Sequence, residues 1–502
     1  MASLTLPMDL ITSILTRLPA KSLARFKCVS KTWNSLLHSP NFSKLYLAHS
    51  LSSDHRLLIV NYGSHLESTP LKRSSKLDIA TTITATSRFD LPNLFSGYEF
   101  SICGSVNGLI ALVCTKVESP QLLEVILWNP STNFHVVLPH PPPVDELPSE
   151  FRGVSFGFGY DSSMDDYRIV RIADYFISSD CGSGSENGGG GGSGDENGGS
   201  GDGGGGEDGS DGDGSGGDGD GGGDHGSEGD DGSVGGGGGE DSGVEEDGGG
   251  GDDGNGRGRV CPCCGNNKFG FVIREVMVYS LRDRHWTLVE IGFHGEIMSW
   301  FCPGAVIKNN LVHWIFWELA EGKPRLRGFD LSSLKWTAAN DLALPDLTGT
   351  EKKGCESDDN DGDSFSDYKL TPNDIVVLGV LDECLCLVTR ICPEFHDVYV
   401  WVMKEYGVKE SWTKLFNITE ASIVGPLVSA PLSCSRKGDE VLLRRENDNG
   451  GLCCYDMKDK AVKPALKIPS SLKIHGVNLC VVSLVPASYS EMIGSSVDEP
   501  NA

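Results

Sequence analysis

Basic residues are scarce in this 502-residue chain: 42 Lys and Arg stand against 70 Asp and Glu, a formal net charge of -28 at pH 7. Nucleic-acid binding needs a concentrated Lys/Arg surface to neutralise phosphates, so that class is set aside. Long apolar runs are also missing, and none approaches the roughly 20 residues that a membrane span requires. The N-terminus has no basic n-region, unbroken apolar stretch or small-residue cleavage site, because Asp9, Thr12, Ser13, Thr16 and Arg17 interrupt its apolar residues. No Ser-His-Asp order, G-x-S-x-G elbow or phosphate-binding glycine loop is visible, so no catalytic residue is assigned. The 16 cysteines do not form a disulfide framework; Cys114, Cys384, Cys386 and Cys480 lie in apolar runs where a small hydrophobe suits a strand. A soluble protein of a reducing compartment, cytoplasmic or nuclear, is expected.

The acidity is not spread evenly. Between Asp180 and Arg259 stand 22 acids and only two cations, Arg257 and Arg259, so a net -20 belongs to one segment made almost entirely of Gly, Asp, Glu, Ser and Asn. Ordering each residue costs roughly 1–2 kcal/mol of backbone entropy, and no apolar side chains offset it, so the tract is expected to be a disordered surface loop. A smaller acidic loop runs from Glu356 to Asp367. The aspartates could suit calcium, but nonapeptide calcium repeats carry a regular apolar position and only Val234 and Val244 are available here. Cys261, Cys263 and Cys264 form the best metal candidate. A structural zinc site wants a second separated pair, and the nearest downstream histidine is His285, so no metal or cofactor is expected.

From Leu6 to Tyr46 the apolar pattern is helical. Leu10, Ile11, Ile14, Leu15 and Leu18 recur at three- and four-residue spacing behind Pro7, a tolerated first-turn proline. Pro19 ends that helix; Leu23, Phe26 and Val29 mark a second, and Trp33, Leu36 and Leu37 a third, closed off by Pro40. So small a unit leaves apolar surface exposed and needs a partner. Packing on the rest of the chain would be the plainer use of it.

After about Leu57 the pattern changes to short strands between turn residues, among them LLIV, GLIALV, EVILWN, YRIVRI, EVMVYS, LVHWIF, CLCLV, VYVWV and VLLR. Without intervening amphipathic helices this indicates an all-β architecture. A weak repeat runs through it: a strand ending in an aromatic residue, a polar turn, then a second strand, with Trp128, Tyr279, Phe329, Trp401 and Tyr455 in the matching place. Once the acidic patch after Lys353 is discounted, the later copies recur at roughly 50 residues, the period of kelch-like propeller blades. About seven blades fit the ordered length, with six or eight open. Trp286, Trp336 and Trp412 follow the turns and either face a ligand or wedge between blades. Trp300 and Trp314, in the SWF and HWIFW clusters, carry the same two readings.

The first segment, LPMDLITSILTRLPAKSLARFKCVSKTWNSLLHSPNF, closely resembles the F-box in the form common in plants. The stretches LWNPSTNFHVVLP, FGFGYDSSMDDYRIVRI, VMVYSLRDRHWTLVE and VYVWVMKEYGVKESWTKL resemble the F-box-associated domain of plant F-box/kelch-repeat proteins. The resemblance implies a three-helix F-box at residues 1–48 and a β-propeller in two parts, 49–179 and 260–486, separated by the 180–259 insert and followed by a tail at 487–502. It further implies docking on a Skp-type adaptor, with Leu6, Pro7, Leu10, Ile11, Ile14 and Leu15 as contacts or supports and Leu23, Val29, Trp33 and Leu36 shaping the same unit. Through the adaptor it implies cullin and RING subunits and an unidentified target protein. The expected function is substrate recognition for a ubiquitin ligase, with no catalysis of its own; a scaffold that degrades nothing, or a propeller enzyme, are the alternatives.

Overall fold

The computed structural model describes residues 6–63, 65–73, 77–78, 87–90, 98–116, 119–142, 150–178, 259–260, 267–268, 270–291, 296–297, 304–307, 310–318, 323–337, 342–345, 375–390, 398–418, 431–444, 452–464 and 474–486. The Gly/Asp tract up to Gly258, the acidic loop Glu356–Asp367, Trp300 and the Cys261, Cys263, Cys264 cluster fall outside them. By backbone contacts the chain forms two compact units, Met1–Ser179 with Lys268–Ala502, and Asp180–Asn267. The first holds everything described below.

Four helices open it: α1 Met8–Leu15, α2 Ala20–Phe26, α3 Lys31–His38 and α4 Pro40–Ser52. The fourth corrects the three-helix expectation. Pro40 does end α3, but it also sits at the first position of α4, where its missing N–H costs nothing. Ser39 serves both ends, its Oγ donating to Leu36 O at 2.8 Å and accepting from Phe42 N at 3.2 Å. Pro7 likewise lies one place outside its expected position, as the N-cap of α1.

The strands then build six antiparallel sheets of four or five strands. Blade 1 pairs Arg56–Asn61 with His65–Arg73, which also carries the short strands Leu77–Asp78 and Ser87–Asp90. Its innermost strand comes from the far end of the chain: Gly476–Val481 pairs with Arg56–Asn61 from Arg56↔Val481 to Asn61↔Gly476. Blade 2 comprises Tyr98–Val106, Leu109–Lys116, Ser119–Asn129 and Phe134–Val137; blade 3 comprises Glu150–Asp161, Asp166–Ser178, Gly270–Ser280 and His285–Val289. Blade 4 is built on Leu311–Glu318 and Lys323–Asp330, blade 5 on Ile375–Leu381, Cys384–Arg390, Val398–Met403 and Trp412–Ile418, and blade 6 on Glu440–Arg444 and Leu452–Asp456. Six blades, rather than about seven, is the observed count. Division by a 50-residue period overcounts where a blade is longer than the period, as in blade 3, whose first two strands run to 12 and 13 residues.

Six apolar clusters fill the six spaces between neighbouring blades, and the repeat aromatics occupy five of them. Trp128 packs with blade 1, Tyr279 with blade 2, Phe329 with blade 3, Trp401 with blade 4 and Tyr455 with blade 5. The sixth space holds Leu58, Val60, Leu442 and Leu452. Trp286, Trp336 and Trp412 belong to the same layers, where they wedge between blades: Trp286 Nε1 donates to Pro139 O at 2.8 Å, Trp412 Nε1 to Ala343 O at 2.8 Å, and Trp336 stacks edge-on to Phe329. Trp314 is buried between blades 3 and 4, its Nε1 donating to Ser155 Oγ at 3.0 Å. After Trp128, Tyr279, Phe329 and Tyr455 the polar turn is closed by its first residue; Trp401 is followed by Val402, which has no polar side chain. Asn129 Oδ1 accepts from Ser131 N, Asp330 Oδ1 from Ser332 N and Asp456 Oδ1 from Lys458 N, and Asn133, Leu334 and Lys460 adopt left-handed φ four residues on.

Antiparallel pairing puts the first-to-second and third-to-fourth turns of every blade at one end of the ring. The helices sit at that end, on blades 1 to 3. The strands of blade 3 that flank the Gly/Asp tract in the sequence stay paired up to Ser178↔Gly270.

Candidate docking surface

The helical unit has a core of its own. Leu15, Ala20, Leu23, Leu37, Phe42 and Tyr46 are buried together, with Ile11, Leu18, Phe26, Trp33 and Leu36 packed around them. Phe26 meets Trp33 edge to face at 5.6 Å, and Ser30 caps α3 by accepting from Trp33 N at 3.1 Å. Tyr46 of α4 donates its hydroxyl to Leu18 O at 3.1 Å, tying the α1–α2 corner down; burial pushes its phenol pKa up to about 12. The ten residues singled out in the sequence thus separate. Leu15 and Leu23 are core, while Ile11, Trp33 and Leu36 are half-buried supports. Leu6, Pro7, Leu10, Ile14 and Val29 face outward, and Leu6, Leu10, Ile14 and Val29 are each more than half exposed.

This exposure is unusual in kind. At about 100° per residue, Ile14 lies roughly 100° round α1 from buried Leu15, and Leu10 shares its stripe one turn back. The helix therefore carries one apolar stripe inward and a second one out. Met8, seven residues before Leu15, has the spacing of the inner face, yet at the start of the helix it is 43 % exposed. The helical unit as a whole is positively charged: through Ser50 the only acid is Asp9, against Arg17, Lys21, Arg25, Lys27, Lys31 and Lys44, the opposite sign to the full chain.

The far side of the unit is seated on the propeller, the plainer use of its apolar surface, while the outer face stays uncovered among the described residues. Val482 and Leu484 pack into the helical core, and Ser43 Oγ donates to Leu484 O at 3.2 Å. Lys44 Nζ meets Asp165 Oδ2 at 2.6 Å on the blade 3 turn, where Tyr160 OH also donates to Asp165. Partial burial works against the Asp165 carboxylate, but those two hydrogen bonds and the charge of Arg282 hold its pKa below the usual range. Among the described residues no cluster of three metal-liganding side chains is found, and no helix is long and apolar enough to cross a membrane.

Comparison with known proteins agrees with this geometry. Residues 3–45 match the F-box domain model. F-box protein CPR1 of Arabidopsis thaliana is 26 % identical over 495 residues, covering 96 % of this chain and 89 % of that protein. F-box protein At4g22390 of the same plant is 25 % identical over 472 residues, covering 91 % and 85 %. F-box protein At4g19940 reaches 37 % identity over 175 residues, 33 % of this chain and 40 % of the relative. The chain carries an F-box domain at its N-terminus, followed by a six-bladed β-propeller, and is similar over nearly its whole length to plant F-box proteins.

Proposed function

We propose that the chain is the substrate-recognition subunit of a Skp–cullin–F-box ubiquitin ligase. The observation that carries this reading is apolar surface turned outward on a helical unit with a packed core: Leu6, Pro7, Leu10, Ile14 and Val29, and Met8 at the start of α1, are exposed among the described residues. Fully burying such a side chain is worth about 1.5–3 kcal/mol, so a partner that covers the stripe gains several kcal/mol from apolar contact alone. Ile11, Leu15, Leu23, Trp33 and Leu36 hold the stripe in place. The lysines and arginines of the unit favour an adaptor with an acidic rim and speed the encounter at low salt.

The propeller, a kelch-like ring formed from 49–179 and 260–486, presents the target. No step of ubiquitin chemistry is assigned to this chain. Its contribution is positional: two partners held on one body react as if at high local concentration. Affinity purification from cells with and without cullin inhibition tests this. A target that co-purifies and accumulates on inhibition is expected; partners whose abundance never changes would favour a scaffold that degrades nothing.

A further inference from the structure

We propose that Gly476–Pro486 is a two-headed clamp, which locks the propeller ring and in the same stretch fixes the F-box to it, so that Asn129, a residue that touches no part of the F-box, controls how rigidly the F-box is held. Residues Gly476–Val481 supply the inner strand of blade 1 and close the ring. Directly after them the chain changes partner. Val482 N donates to His55 O at 3.0 Å, beyond the end of α4, and Leu484 enters the F-box core while its carbonyl accepts from Ser43 Oγ. On its other side the segment is held by blade 2. Asn129 Nδ2 donates to Val485 O at 2.7 Å and to Ser483 O at 3.3 Å, and Ser131 Oγ accepts from Ser483 N at 3.1 Å. Asn129 and Ser483 are fully buried, so water does not replace these bonds when they are broken.

The consequence for function rests on the reading of the chain as a substrate-recognition subunit. A subunit that works by position loses its advantage when its two binding ends move independently, because effective concentration falls once the geometry is loose. Asn129 and Leu484 are then positioning residues for ubiquitin transfer without contacting adaptor or target.

The test uses the full-length chain. Asn129→Asp keeps the side-chain oxygen that caps the Ser131 turn, but removes the amide donor and sets a carboxylate against two carbonyls. Hydrogen exchange at the amides of α4 should accelerate about tenfold or more, as expected of a locally released element, while the strands Tyr98–Val106 and Leu109–Lys116 keep their protection. Leu484→Ser, which loosens the clamp from the F-box side, should give the same pattern and serves if Asn129→Asp fails to fold. Unchanged exchange in α4, or acceleration confined to blade 2, overturns the proposal. Exchange is read without any adaptor, so a failure of both wild type and variants to bind a Skp-type adaptor would refute the proposed function and leave the clamp standing.

Discussion

Substituting Gly108 by Ala puts the account of the ring closure under direct strain. Gly108 is the second residue of the tight turn between the first two strands of blade 2, after Asn107, and both take left-handed φ, +52° and +85°. An added Cβ would meet the Ser483 side chain, below any tolerable contact, and would stand 2.7 Å from Val481 O. Two costs add. Holding a non-glycine residue in left-handed backbone costs about 1–2 kcal/mol, and forcing an atom into a packed site about 1–3 kcal/mol. The sum, roughly 2–5 kcal/mol, is a large share of a domain's usual 5–15 kcal/mol. Thermal unfolding of Gly108→Ala should therefore begin several degrees lower than in the wild type. Ser483→Gly in the same chain removes the side-chain overlap but leaves the approach to Val481 O and the backbone cost, so the double variant should recover part of the loss, a coupling that independent sites would not show. A Gly108→Ala protein that melts within a degree of the wild type would refute the placement of Ser483 over this turn, and with it the course of the C-terminal segment.

Two further outcomes are expected. His313 is buried between Ala305 O and the Tyr406 hydroxyl, and burial pushes its pKa from the ordinary 6.5 down to about 4. From pH 6.5 down to about 4 the unfolded chain binds a proton that the folded chain refuses, so this group removes stability as pH falls, up to about 3 kcal/mol. Chemical denaturation at pH 7 and pH 4.5 should show a shallower loss for His313→Gln than for the wild type; equal slopes would mean that the imidazole is not buried neutral. Replacing residues 180–258 by a short Gly-Ser link should leave the propeller's melting temperature nearly unchanged, since the flanking strands pair residue for residue from Arg168↔Ser280 to Ser178↔Gly270 and closure entropy varies slowly with loop length. Unfolding of that variant would show that the tract is structural.

Much of this architecture could be read from residue order. The aromatic-turn repeat marked the third and fourth strands of five blades because the constraint is local: an aromatic for the space between blades and, in four of the five, a residue able to cap its own turn, as at Trp128 and Asn129 or Tyr455 and Asp456. The helices were legible for the same reason. Division of the apolar residues between core and outer stripe was not, because Ile14 and Leu15 are equally apolar and only the seating of α1 on α2, α3 and α4 decides which is covered. Ser39-Pro40 carried a start signal for α4 that was outweighed by the stop signal in the same proline. Ser43 and Leu484 lie at opposite ends of the chain, and nothing near either residue predicts their bond. The first strand and the last depend on each other in the same way, which is why the blade count could be bracketed but not fixed.

The most direct test of the central claim is the affinity of the full-length protein for a purified Skp-type adaptor, measured for the wild type and for Leu10→Asp with Ile14→Asp. Both side chains point outward, so the double variant should keep its fold and its melting temperature, while two carboxylates enter what should be an apolar contact. Loss of about 3 kcal/mol or more, at 1.4 kcal/mol per tenfold, weakens binding at least about 100-fold. That loss with the fold intact is the predicted result, and undiminished binding by the double variant would contradict it.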